Sequence, residues 1–147
     1  PPLGERSFGG RRIIDRKSRD FSQTANEDTM LIAQIETPEA VENAEAIAAL
    51  DGIDALFLGP DDILLRRGVS MGVPRTRETL GNDMEAVAQA SKKSGKFSVM
   101  PAHSPEIIKY AHSIGFNMLA SGADTVFLTN ASAQLSKTAR QAIQDNS

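Results

Sequence analysis

Gln34-Ile35-Glu36-Thr37-Pro38-Glu39-Ala40 and, one unit later, Phe57-Leu58-Gly59-Pro60-Asp61-Asp62 decide how this chain is read. Each is an apolar run that ends abruptly in a carboxylate and a turn, and each leads into a helical pattern. In a parallel α/β protein the loops after the strands open on one face, and ligands collect there. Glu36 and Asp62 are about one strand-helix unit apart. Neighbouring strands lie about 4.8 Å from one another, which would set the two carboxylates side by side at one rim. Converging carboxylates repel unless one is protonated or a cation lies between them. The natural occupant is a hard divalent ion with oxygen ligands, Mg²⁺ or Mn²⁺.

Around this pair the pattern repeats. Met30 to Ile35 is a short continuous apolar run, as expected of a strand buried on both faces. Pro38 opens a helix with Thr37 as its cap and Glu39 near the positive end of the dipole, and Asp51-Gly52 ends it. Ala55–Leu58 is the next buried strand, closed by Gly59-Pro60. Residues 61–67 read as a short helix, 68–74 as an irregular loop, and about 77–94 as a long helix stopped by Gly95. Phe97–Met100 is a third strand, Pro105–Ser113 a helix stopped by Gly115, and Met118–Ala120 a fourth strand. Ala123–Ile143 reads as a terminal helix, and the last four residues as a frayed tail.

Before Met30 the chain is rich in Gly, Arg, Ser and Asp. Arg6-Ser7-Phe8-Gly9-Gly10 reads as a short strand and its turn. The basic residues Arg11, Arg12, Arg16, Lys17 and Arg19 are candidates to grip an anion, but with Asp15, Asp20, Glu27 and Asp28 interleaved they fit a solvated loop or helix face better. Four strand-helix repeats without hairpin signals make an α/β domain with a parallel sheet. With the opening strand they amount to about half of a (β/α)₈ barrel, which typically needs ~250 residues. A doubly wound sheet is the open alternative.

With 147 residues, 24% charged side chains and a net charge of −3, the chain has the composition of one ordinary globular domain. That mild acidity gives no reason to expect nucleic acid or a membrane surface as partner. Without cysteines it holds no disulfide or thiolate metal site, which fits a reducing compartment, and the expected location is the cytoplasm. No apolar run approaches the ~20 residues of a membrane span, and no signal-peptide pattern opens the chain. It begins on Pro1 rather than Met, and the expectation is that something upstream has been removed or left out.

The two quoted stretches, with Asp51-Gly52-Ile53-Asp54-Ala55-Leu56 leading into the second and Ile63 following it, resemble the signature of the HpcH/HpaI aldolase/citrate lyase family. These are metal-dependent, class II aldolases that use pyruvate. Pro1-Pro2-Leu3-Gly4-Glu5-Arg6-Ser7 is similar to the stretch leading into that family's fourth strand, so the resemblance runs from residue 1 to about 143. It implies the C-terminal part, about strands 4–8, of a (β/α)₈ barrel, read here as one partial domain over residues 1–147.

The resemblance further implies Glu36 and Asp62 as metal ligands, with Mg²⁺, Mn²⁺ or Co²⁺ as the ion. Gly59, Pro60 and Asp61 would bind the substrate, backbone N–H groups near them receiving the pyruvate carboxylate. The implied reaction is reversible cleavage of a 4-hydroxy-2-oxo acid to pyruvate and an aldehyde, in a homo-oligomer (a hexamer by resemblance, built through exchanged terminal helices). Other metal-enolate chemistry, oxaloacetate decarboxylation or citrate-lyase-like cleavage, is the alternative within the family. A catalytically silent half barrel that assembles with another chain is the alternative outside it.

Two departures stand out. Relatives commonly read Gly-Pro-x-Asp-Leu-Ser, whereas here Asp62 is followed by Ile63-Leu64. The family's catalytic His and enolate-stabilising Arg lie on loops after strands that this chain does not include. Of the remaining polar residues, Asp61 competes with Asp62 as ligand. His103 follows the third strand on the same rim and is a candidate for proton transfer or for merely opening a helix capped by Ser104. Arg66, Arg67, Arg75 and Arg77 flank the irregular loop and are expected either at the surface or against an acidic aldehyde tail. The five methionines are read mostly as core filler.

Overall fold

The computed structural model describes residues 4, 5 and 10–145. The short strand expected at residues 6–9 lies outside the described residues. Four parallel strands, β1 (Ile32–Ile35), β2 (Ala55–Leu58), β3 (Phe97–Pro101) and β4 (Met118–Ala120), form one sheet in the order β1-β2-β3-β4. The helices in chain order are α1 (Arg11–Lys17), α2 (Phe21–Thr24), α3 (Pro38–Glu42), α4 (Ala44–Ala48), α5 (Pro60–Arg66), α6 (Arg77–Lys93), α7 (Pro105–Ile114) and α8 (Asp124–Gln144). The result is a mixed α/β fold with a parallel sheet. Each strand pairs with the next in sequence, so the order never reverses as it does in a doubly wound sheet. No helix of the described residues is long and apolar enough to cross a membrane.

The register explains which side chains go in. Gln34 pairs with Phe57 and Phe57 with Val99, while Ile35 pairs with Leu58 and Leu56 with Ser98. Side chains alternate faces along a strand. Ile35, Leu56, Leu58, Ser98 and Met100 therefore share one face, and all five are buried. They sit beneath α4, α6 and α7 in a cluster completed by Ala44, Ala48, Leu80, Met84, Val87, Ile107 and Phe116. The other face, carrying Ile32, Gln34, Phe57 and Phe97, is largely open.

This asymmetry corrects two expectations. The first strand begins two residues late and is not buried on both faces: Met30, Leu31 and Ile32 are 45%, 54% and 38% exposed, and only Ile35 is enclosed. Among the described strands β1 has a neighbour on one side only. Of the methionines only Met84 and Met100 are fully buried, whereas Met30 and Met71 are exposed.

The helix after Glu36 is also two pieces rather than one. Thr37 caps α3 as expected, its hydroxyl accepting from Ala40 N at 2.9 Å. At Asn43 the backbone leaves the helical region, and its side-chain amide donates to the Glu39 carbonyl at 2.9 Å, breaking the run before α4. The other punctuation matches the reading. Gly95 and Gly115 take φ of +66° and +107° beyond the ends of α6 and α7, a left-handed turn that costs glycine nothing. Ser104 caps α7 by accepting from Ile107 N at 3.2 Å. The basic N-terminal segment is helical and exposed at α1. Helix α8 ends one residue beyond the expected terminus and presents Val126, Phe127, Leu128, Leu135 and Ile143 to the exterior.

Candidate active site

The carboxyl ends of β1, β2 and β3 open on a common rim. Glu36 directly follows β1, Gly59 and Pro60 follow β2, and Ala102-His103-Ser104 follow β3. A cavity of about 620 Å³ lies at this rim. Its polar lining is Gln34, Asp61, Asp62, Arg75, His103 and Ser104, over an apolar floor that includes Phe57, Met100 and Ile107.

Glu36 is half-buried and stands beside, not on, that lining. Gln34, two residues earlier and therefore on the same side of β1, donates from Nε2 to Glu36 Oε2 at 2.8 Å. The backbone of Gly59 fits against this pair: a β-carbon there would lie 3.0 Å from the Glu36 β-carbon and 3.4 Å from Gln34 Nε2. Gly59 has φ −98°, so the requirement is for space and not for a left-handed turn. Its N–H donates to the Ile35 carbonyl at 2.8 Å, tying the two rim loops together.

The two adjacent aspartates of α5 differ in their partners. Asp61 Oδ1 accepts from Arg75 Nε at 2.6 Å, and Arg75 Nη1 donates to the carbonyls of Met71 and Val73 at 3.1 and 3.5 Å. The Asp62 side chain, in the first turn of α5, makes no hydrogen bond or ion pair with a described residue. At its other end α5 is anchored by Arg67, whose two terminal nitrogens donate to the two carboxylate oxygens of buried Asp83 on α6 at 2.6 and 2.7 Å. This hydrogen bonding, with the adjacent negative charge, holds the Arg67 guanidinium above its ordinary pKa despite partial burial. Of the four flanking arginines, then, Arg67 and Arg75 are committed to carboxylates. Arg77 stacks 4.7 Å over the Tyr110 ring. Arg66, Arg67 and Arg77 are exposed, as expected at the surface, and Arg75 is half-buried.

His103 is exposed and lines the cavity, and Ser104 beside it is the α7 cap. Gln34 and the Asp61–Arg75 pair are the polar features that sequence reasoning missed. The two-residue spacing of Gln34 and Glu36 was the available signal for the first. No local signal exists for the second. Among the described residues no three His, Asp or Glu side chains converge closely enough to hold a metal ion by themselves.

A family model for HpcH/HpaI aldolase/citrate lyase matches residues 2–131. The chain belongs to the HpcH/HpaI aldolase/citrate lyase family. It is 31% identical over 138 residues to the 2-keto-3-deoxy-L-rhamnonate aldolase of Salmonella paratyphi B, a match covering 89% of this chain and 49% of that protein. An HpcH/HpaI aldolase/citrate lyase family protein from Burkholderia cenocepacia superposes with a TM-score of 0.73 at 30% identity, over 95% of this chain and 54% of that one. The HpcH/HpaI aldolase of Desulfitobacterium hafniense gives 0.73 at 29% identity, over 95% and 55%. The chain thus spans about half the length of the relatives it matches. Ligand sites of singly wound α/β folds gather at the carboxyl ends of the strands, the end at which Glu36, Gly59 and Asp62 lie.

Proposed function

We propose that these residues are the C-terminal part of a (β/α)₈ barrel in a divalent-metal-dependent aldolase, with Glu36 and Asp62 as the metal-holding carboxylates. The reaction is reversible cleavage of a 4-hydroxy-2-oxo acid to pyruvate and an aldehyde. The observation that carries the reading is the close approach of Gly59 to Glu36, which brings the ends of β1 and β2 together at the cavity where Asp62 also lies. Singly wound strand order and one helix-covered face, with the opposite face open, support the barrel.

The residues fit a hard cation. Two rim carboxylates, with no group of three such side chains among the described residues, suit an ion such as Mg²⁺ or Mn²⁺, which keeps several sites for water and substrate. Bound there, the ion supplies charge stabilisation next to a keto oxygen when negative charge develops on it. The protein's own part is placement. Gln34 fixes one oxygen of Glu36, and glycine at position 59 leaves room for that carboxylate. Gly59, Pro60 and Asp61 border the cavity. Pro60 has no N–H and that of Gly59 is given to the Ile35 carbonyl, which leaves the N–H of Asp61, in the first turn of α5, to receive the carboxylate of the oxo acid. Phe57, Met100 and Ile107 exclude water beneath it. His103, exposed at the cavity, is this chain's candidate for proton transfer. The base and the enolate-stabilising arginine come from the part of the barrel outside this chain. The exposed apolar residues of α8 are the surface through which a homo-oligomer would form.

The test uses the full gene product. Pyruvate release from a 4-hydroxy-2-oxo acid, with oxaloacetate as comparison substrate, is measured with Mg²⁺ or Mn²⁺ and after chelation. Glu36→Gln and Asp62→Asn are each expected to lower metal-dependent turnover by at least about 100-fold. Wild-type turnover and metal affinity in either variant would show the assignment to be wrong.

A further inference from the structure

We propose that Arg75 is a positioning residue that withholds Asp61 from the cation, so that of two adjacent aspartates only Asp62 is available to partner Glu36. The inference rests on the reading of Glu36 and Asp62 as the cation's carboxylates.

Asp61 and Asp62 are consecutive, both exposed, both in the first turn of α5, and both on the wall of the same cavity. Chemically they are equivalent ligands. What separates them is Arg75. Its Nε donates to Asp61 Oδ1 at 2.6 Å, and its Nη1 is held by the carbonyls of Met71 and Val73. The guanidinium is therefore fixed by the loop between α5 and α6, not by Asp61 alone. Its own side chain is only 34% exposed, against 59% for Asp61. A planar, permanently charged donor suits this task, because it orients the carboxylate and cannot be neutralised by loss of a proton.

The consequence is charge control. An unrestrained Asp61 would offer a third carboxylate, and ligand charge is what tightens oxygen-ligand cation sites. It would also occupy a position needed by substrate oxygens and repel the anionic oxo acid. The absence of any converging group of three such side chains among the described residues agrees with Asp61 being turned to Arg75.

Mn²⁺ binding to the full gene product, followed by calorimetry and by the electron spin resonance of free Mn²⁺, tests this without reference to turnover. Asp62→Asn should weaken binding at least about 10-fold, whereas Asp61→Asn should stay within about 2-fold of wild type. Arg75→Met should tighten binding by about 10-fold, and Arg75→Lys, which keeps a cation, should not. The decisive variant is Asp62→Asn with Arg75→Met, which should regain most of the lost affinity as Asp61 takes over. Equal affinity of the double variant and Asp62→Asn overturns the role of Arg75 while leaving the Glu36–Asp62 reading intact. Wild-type affinity in Asp62→Asn overturns that underlying reading instead. Circular dichroism checks the fold of each variant, and Arg75→Gln gives the same readout should the methionine variant not fold.

Discussion

Gly59 stands so close to Glu36 that a β-carbon at position 59 would lie 3.0 Å from the β-carbon of Glu36. Real β-carbons essentially never come nearer than this, so a side chain at residue 59 would require Glu36 to give way. The backbone at Gly59 is compatible with any residue, which isolates space as the cause.

Gly59→Ala is therefore expected to displace Glu36 by a few tenths of an ångström. Overpacking of this kind costs about 1–3 kcal/mol. The site should suffer more than the fold, with an increase of about 10-fold or more in the metal concentration giving half-maximal activity. Thermal unfolding and metal titration of the same preparation separate the two effects. A wild-type metal response in a stable Gly59→Ala protein would mean that Glu36 is not a ligand or is free to move.

Arg67 and Asp83 form a pair whose two halves differ in exposure, 38% for the arginine side chain and 4% for the aspartate. Arg67→Met breaks both hydrogen bonds, whereas Asp83→Asn keeps one acceptor oxygen, and the consequences are unequal. Arg67→Met leaves a carboxylate buried without its partner, which typically costs about 3–5 kcal/mol. Asp83→Asn keeps a polar group in place and leaves an arginine that can turn to water, for an expected cost of about 1–2 kcal/mol. Denaturant unfolding should rank the methionine variant as the weaker of the two, and the reverse order would mean that Asp83 reaches water.

Ser91 on α6 is fully buried, and its hydroxyl has no hydrogen-bond partner among the described residues. An unpaired buried hydroxyl costs about 1–3 kcal/mol, and alanine is the better helix former. Ser91→Ala should accordingly stabilise the protein by about 1 kcal/mol, seen as a higher midpoint of denaturant unfolding with unchanged slope. A loss of stability would reveal a partner, such as an ordered water, for Oγ.

Most of the fold was legible because its signals are local. The strand Ala55–Leu58, the long helix Arg77–Lys93 and the strand Met118–Ala120 lie between glycines and prolines that stop the chain wherever they occur. The exposure of Met30 to Ile32 was not legible, because an apolar run says nothing of whether a neighbour is there to cover it. The break at Asn43 depended on one amide finding the Glu39 carbonyl, against an apolar pattern that favoured continuity. At the site, glutamate and aspartate at strand ends drew the eye to Glu36 and Asp62, but the partners of Arg67 and Arg75 are set by tertiary packing. The role of Gln34 was not legible, since an amide carries no charge to announce its hydrogen bond to Glu36.

Tyr110 on α7 donates its hydroxyl to Glu85 on α6 while Arg77 covers its ring. That hydrogen bond to a carboxylate is the main reason the phenol is held above its ordinary pKa of 10.0, with burial and the negative charge of Glu85 adding in the same direction. A folded-state pKa raised above the unfolded value means that the native protein keeps its proton longer. The stabilisation is fully present below pH 10.0 and is lost as pH rises through the folded value, when phenolate and carboxylate repel. Tyr110→Phe removes both the bond and the titration. The melting temperature of the wild type should therefore fall more steeply above pH 10.0 than that of Tyr110→Phe, the two curves drawing together there. Parallel curves through that range would mean that the contact between α6 and α7 at Tyr110 contributes nothing to stability in solution.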